Sequence, residues 1–254
     1  MDPNFDLNAY LMKHVLNSKE WHLPFLPPIE LPGFVSLHAL MLFIGAAILL
    51  MLFLVLYRRH DRVPTGITNC LEVFIVFVRD EVAIPSLGEK DGILFTPMLC
   101  TIFFFILILN ILGLIPIFAT ATANVNVTGP LAFIIFTLLT VGTFLRVGIK
   151  GFWKAMVPSG LPVLLIPFFF CIEVISLFIK SGALMIRLMA NMMAGHMIIL
   201  SLLGLIIMFG WFAAPALPIA VCIYGMEVFV AFLQAYVFVL LSAIFIGQMY
   251  HPEH

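Results

Sequence analysis

A chain of 254 residues that is 63% hydrophobic, carries 26 phenylalanines and is only 10% charged, with a mean hydropathy of +1.20, lies far outside the composition of water-soluble domains. Its formal net charge of −1, without a basic stripe or a Gly-rich phosphate loop, offers nothing to a nucleic acid, so partners are to be sought in the membrane. Long uncharged runs replace the alternation of a β-barrel, which makes the expected fold an all-α polytopic membrane protein.

The first 36 residues read as an extramembrane arm, rich in proline near 24 to 32, and residues 37–254 as a single membrane domain. The arm lacks the short basic start and apolar core of a cleavable signal, so the first span is expected to direct insertion itself. That span, at about 37–57, is LHALMLFIGAAILLMLFLVLY, long enough as a helix to cross a hydrocarbon core of roughly 30 Å. It ends in RRHDR at 58–62, a basic cluster that the positive-inside rule assigns to the cytoplasmic side, leaving the N-terminus outside. Residues 65–91 mix apolar positions with Glu72, Arg79, Asp80, Glu81, Glu89, Lys90 and Asp91, and predict an interfacial amphipathic helix and loop. A second span is expected at about 93–118, the polar loop TATANVNVTG follows, and a third span is expected at about 130–145. Arg146, Lys150 and Lys154 then return the chain to the inside.

From 161 to about 209 the chain is apolar with no polar turn, and after GWFAAPALP a further apolar segment runs over 217–249. A single helix of about 45 residues would be about 68 Å long, more than twice the core thickness, so the first segment either breaks into two spans or lies steeply tilted. Hydropathy leaves both open, with five spans and a cytoplasmic tail or six and a tail outside.

These two segments carry Glu173, Lys180, Arg187, His196 and Glu227, with the amides Asn191, Gln234 and Gln248. Each ionisable group near mid-membrane costs about 2.5 to 3.5 kcal/mol, so such a set demands partners, water or a function. Glu173, Lys180 and Arg187 recur every seven residues, within about 40° of one another on a helix, and Asn191 extends that stripe. Ser176, Ala183, Ala190 and Ala194 keep the face thin enough for another helix to approach. His196 falls roughly 180° from Arg187 unless Gly195 bends the helix. If the segments pack as an antiparallel pair turning at Trp211 and Phe212, His196 lies opposite Glu227, and Gln234 opposite Met189. Lys180 is also placed to snorkel to an interface.

No HExxH, GxSxG or Ser, His and Asp set on one face supports a metal site or nucleophilic catalysis, and no cofactor is called for. The four cysteines, Cys70, Cys100, Cys171 and Cys222, form no CxxC pair and are expected to be small apolar packing residues.

LMIRLMANMMAGH at 184–196, followed by AFLQAYVFVLLSAIFI at 231–246, resembles the stator subunit a of the rotary ATP synthase membrane sector. The likeness extends through IEVISLFIKSGALMIRL, ANVNVTGPLAF and NILGLIP, and so covers most of residues 90–250. It implies about five transmembrane helices plus the interfacial helix, with 161–209 unbroken and paired with 217–249 in a long tilted hairpin along a ring of c subunits. The tail would then be cytoplasmic. The resemblance assigns Arg187 to the family's essential arginine facing the ring carboxylates, with Asn191 and Gln234 beside it. It assigns Glu173, His196 and Glu227 to two proton half-channels, and Lys180 has a possible place there. The implied partners are the c-subunit ring, the peripheral-stalk b subunits and the remaining ATP synthase subunits. The protein would be non-catalytic and sit in an energy-coupling membrane, the bacterial inner membrane first and the mitochondrial one as the alternative. The competing reading is a secondary transporter or proton channel that needs no ring, against which stands the lack of an inverted repeat or paired Gly/Pro-broken spans.

Overall fold

The computed structural model describes residues 20–21, 29–30, 36–56, 66–115, 118–157, 162–210 and 216–250. The protein is an all-α polytopic membrane protein, with five helices long and apolar enough to cross a membrane: Leu37–Val55, Glu89–Leu114, Val125–Met156, Ile166–Leu202 and Leu217–Tyr250. In the N-terminal arm, β1 (Glu20–Trp21) and β2 (Ile29–Glu30) pair antiparallel, Glu20 with Glu30 and Trp21 with Ile29. The basic cluster at 58–62, the turn expected at Trp211 and Phe212, and the tail histidines His251 and His254 lie outside the described residues.

Helix α1 (Leu37–Met51) runs into a wider π-helical turn at Leu52–Leu56. Helix α2 (Ile67–Phe77), a π-helical stretch Val78–Ala83 and α3 (Ile84–Leu87) form the segment expected at the interface. Its Thr68, Leu71, Val78, Val82, Ala83 and Leu87 are buried, while Asp80 and Glu81 are exposed. Helix α4 (Glu89–Leu114) takes up Glu89, Lys90 and Asp91, which hydropathy assigns to the preceding loop. The two carboxylates occupy its first turn, where the positive end of the helix dipole favours them.

Helix α5 (Val125–Thr137) starts five residues before Pro130. The start is set by Asn124, whose Oδ1 accepts a hydrogen bond from the Asn126 N–H at 2.9 Å, so part of the expected polar loop is the first turn of a helix. The chain continues through a π-helical turn, Leu138–Gly142, into α6 (Thr143–Met156), which is broken internally at Gly148, with φ 72° and ψ −179°. Helix α7 (Ile166–Phe209) runs without a break for 44 residues, about 66 Å at 1.5 Å per residue. Helix α8 (Ala216–Tyr250) has 35 residues. Of the cysteines only Cys100 is buried; Cys70, Cys171 and Cys222 are exposed, so apolar packing within the protein accounts for one of four.

The residues fall into two compact groups. The first holds the chain up to Met51, Phe104–Thr128 and Arg187–Ala235. Its core includes Met41, Leu109, Ala121 and Val127, and α1 approaches α4 so closely that a Cβ on Gly45 would stand 2.7 Å from Leu109 Cδ2. The second holds Leu52–Phe103, Gly129–Ile186 and the chain from Tyr236. There Gly92 packs on the backbone of Ile84, Gly247 on the carbonyl of Ser86, and the rings of Phe77 and Tyr236 meet at 5.4 Å.

Candidate functional site

Five of the polar residues singled out in the sequence fall in the first group: Arg187, Asn191 and His196 on α7, and Glu227 and Gln234 on α8. On α8, Glu227, Ala231, Gln234 and Phe238 recur at helical spacing and are all buried, so the polar pair shares a face with apolar packing residues. Ala231 and Ala235 are fully buried on this face, and side chains that small let another helix come near.

Asn191 Nδ2 donates to Gln234 Oε1 at 3.4 Å. Glu227 reaches α7 at Gly195, where an added Cβ would overlap its Oε1 and stand 2.7 Å from its carboxyl carbon. The expected level pairing of Gln234 with Met189 is therefore displaced by two residues. Long side chains on a helix lean along the axis, so they meet residues off their own level. The helix passes through Gly195 unbroken. Its missing side chain leaves a notch that the Glu227 carboxyl group fills. His196, the adjacent residue, is half-buried.

Several atoms of this region have no hydrogen-bond partner among the described residues: both carboxyl oxygens of Glu227, Gln234 Nε2, Asn110 Oδ1 and Thr122 Oγ1. All four residues are at most 6% exposed. Asn110 on α4 donates from Nδ2 to the Ala231 carbonyl oxygen at 3.1 Å, which ties α4 to α8 one helical turn from both Glu227 and Gln234. Sequence reasoning gave Asn110 no role; its signal was a lone amide in the apolar run of α4.

Arg187 is exposed and makes no ion pair among the described residues. Around it on α7 stand half-buried Ala190 and exposed Ala194, Met193 and Ile198, an apolar surface with small side chains close to the guanidinium.

Glu173 and Lys180 belong to the second group and pair with each other, Lys180 Nζ donating to Glu173 Oε1 at 3.2 Å. The ammonium also lies over the ring of Phe245, 5.8 Å from its centroid. Their seven-residue spacing thus serves an ion pair two turns long. The same group contains the salt bridge of Arg146 with Asp91, the latter 6% exposed, an interaction that sequence reasoning did not foresee. Outside the spans, Arg79 hydrogen-bonds Asp80 at 2.7 Å and holds its carboxyl below the usual carboxylate range.

Chemically, the first group offers a buried carboxyl group, the imidazole of the residue after Gly195 and the amides of Asn110, Asn191 and Gln234, which can accept, release and orient protons and water, together with a surface cation that has no ion pair among the described residues. No group of three or more His, Cys, Asp or Glu able to hold a metal ion occurs among the described residues.

Residues 39–247 match the sequence pattern of the family described as ATP synthase A chain. The chain is similar to ATP synthase subunit a of Anaeromyxobacter sp. (strain Fw109-5), 44% identical over 217 residues that cover 84% of this chain and 53% of that protein. It is similar also to ATP synthase subunit a of Chloroherpeton thalassium (strain ATCC 35110 / GB-78), 42% identical with 95% and 77% covered. A third relative is ATP synthase subunit a of Myxococcus xanthus (strain DK1622), 39% identical with 95% and 88% covered. The chain spans about half the length of the Anaeromyxobacter protein.

Proposed function

The chain belongs to the ATP synthase A chain family, and on that premise we propose that it is the stator subunit that carries protons to and from a ring of c subunits. Protons travel through two half-channels. Glu173, His196 and Glu227 serve these half-channels, with Asn110 as an additional polar lining residue. Arg187 stands between them. A permanent cation favours the ionised form of each ring carboxylate that passes it, so the proton must leave first and cannot hop directly from one half-channel to the other. Asn191 and Gln234 orient the arginine and its water.

The observation that carries this reading is Arg187 itself: an always-charged guanidinium, exposed and without an ion pair among the described residues, on an apolar face lined by small residues. A cation kept in lipid for structural reasons alone would be expected to have a partner inside the chain, as Lys180 has. A carboxylate on a passing helix supplies the missing counter-charge.

Each charge crossing the membrane releases about 2.3 kcal/mol per 100 mV, so several protons are needed per ATP and a ring must accumulate them. The subunit makes no ATP. It works with the c ring, the peripheral-stalk b subunits and the rest of the synthase in the bacterial inner membrane, with its N-terminus outside and its C-terminus in the cytoplasm.

The test is Arg187→Ala in the assembled complex, read as ATP-driven proton pumping into sealed vesicles. Pumping should vanish while the complex still assembles and hydrolyses ATP. Retained coupled pumping would overturn the proposal. Proton flux through the purified chain without any ring would favour a ring-independent channel.

A further inference from the structure

We propose that residues 149–156, beyond the break at Gly148, form a docking site for the headgroups of anionic phospholipids. The spanning helix Val125–Met156 has 32 residues, about 48 Å at 1.5 Å per residue, against a core of roughly 30 Å. Residues 125–147 alone give about 35 Å, so the break falls where the hydrocarbon ends. Two glycines build it. Gly148 takes a left-handed φ of 72° that a larger residue would adopt only with strain, and Gly151 leaves room for Val147, whose side chain would collide with a Cβ at that position.

After the break the segment is two-faced. Ile149, Phe152, Trp153 and Met156 recur at helical spacing on one side, and Lys150 and Lys154, four apart, share the other. Met156 is 2% exposed and pins the segment to the protein, whereas Ile149 is 72% and Trp153 49% exposed. The Trp153 ring stacks on Phe170 at 5.2 Å, which fixes its orientation. Arg146 is already held by Asp91, but Lys150 and Lys154 are exposed and make no ion pair among the described residues.

Charge complementarity selects the occupant. Two ammonium groups without an ion pair among the described residues, beside an exposed indole at the depth where a span ends, match a phosphate headgroup with its acyl chains against Ile149 and Trp153. A protein partner fits less well, because lysine is depleted from the cores of protein interfaces. Zwitterionic lipids carry no net charge to answer the two lysines, so the site should enrich anionic lipid over them by roughly an order of magnitude.

The chain has three tryptophans, so Trp21→Phe with Trp211→Phe leaves Trp153 as the only reporter. This full-length variant is placed in phosphatidylcholine vesicles containing a few mole per cent of lipid brominated on its acyl chains, as either phosphatidylglycerol or phosphatidylcholine. Brominated phosphatidylglycerol should quench Trp153 at a several-fold lower mole fraction. Lys150→Gln with Lys154→Gln, with helix content checked by circular dichroism, should bring the two quenching curves together. Equal quenching with both lysines present, or a preference that survives their removal, overturns the proposal. Absence of quenching by either lipid overturns it too, because the indole would then not face lipid.

Discussion

The two compact groups of residues differ in how the polar groups of the long helices α7 and α8 are met. In the second group three cations are met, Lys180 by Glu173 and Phe245, Arg146 by Asp91 and Arg79 by Asp80, while the exposed Lys150 and Lys154 make no ion pair among the described residues. In the first group Arg187 has no ion pair, and Glu227, Gln234 and Asn110 keep buried atoms without partners among the described residues. Ser181 Oγ is the exception in the second group, but a hydroxyl costs far less to leave unpaired than a carboxylate. Of the closed pairs, Arg146 with Asp91 ties two helices and the other two lie within one helical segment; charges left open are available to a proton or to a partner.

The contrast is broken most directly by removing the open cation, and Arg187→Ala should reduce coupled pumping to the leak of the membrane. Next in size is Glu227→Gln, which keeps the shape but cannot exchange a proton. Proton flux in reconstituted complexes should fall by roughly 100-fold, with assembly unchanged on native gels. Unchanged flux across the pH range would remove Glu227 from the route.

Gly195→Ala puts a methyl group where the Glu227 carboxyl lies, and should cost about 1 to 3 kcal/mol of strain or displace the carboxyl and lower flux by about tenfold. Combining it with Glu227→Asp, one methylene shorter, should recover part of that loss; no recovery would show that the notch does not position the carboxyl group.

The closed pairs predict a different signature. Asp91→Asn leaves Arg146 uncompensated and should lower thermal stability by about 1 to 3 kcal/mol, while flux per assembled complex stays near normal. A flux defect without a stability defect would move this pair into the open class. The smallest effect is expected at the exposed pair. Arg79→Gln should let Asp80 titrate nearer its ordinary value of about 3.9, as read by NMR, with no change in melting temperature. A carboxyl held low contributes at neutral pH and loses its contribution as pH falls through the lowered midpoint, so any effect of this pair belongs to strongly acidic conditions.

Much of this was legible in the linear chain, but unevenly. The membrane class and the long helices follow from uncharged runs too long for anything but a spanning helix. Hydropathy missed the starts of α4 and α5, since helix ends are set by first-turn carboxylates and by a capping Asn124, to which an average over apolarity is blind. It likewise could not choose between one helix and two over Ile166–Phe209; the family resemblance chose one, and the helix is unbroken.

The polar residues themselves announced their cost in lipid, so Arg187, Glu227, His196 and Gln234 were found by composition alone. Their partners were not. The seven-residue stripe of Glu173, Lys180 and Arg187 looks uniform in sequence, yet its first two members close on each other while the third has no ion pair among the described residues. Gly195, which the sequence offers as a place for a bend, leaves a notch for the Glu227 carboxyl group.

What the sequence determined by itself is which residues pay for being in a membrane and how far apart they lie along each helix, because both depend on local chemistry and a fixed helical repeat. What only the tertiary structure decided is which of those costs are offset and which stay open. That depends on approaches of a few ångströms between residues distant in sequence, such as Glu227 with Gly195 or Asn110 with Ala231, and no periodicity within a single helix encodes them.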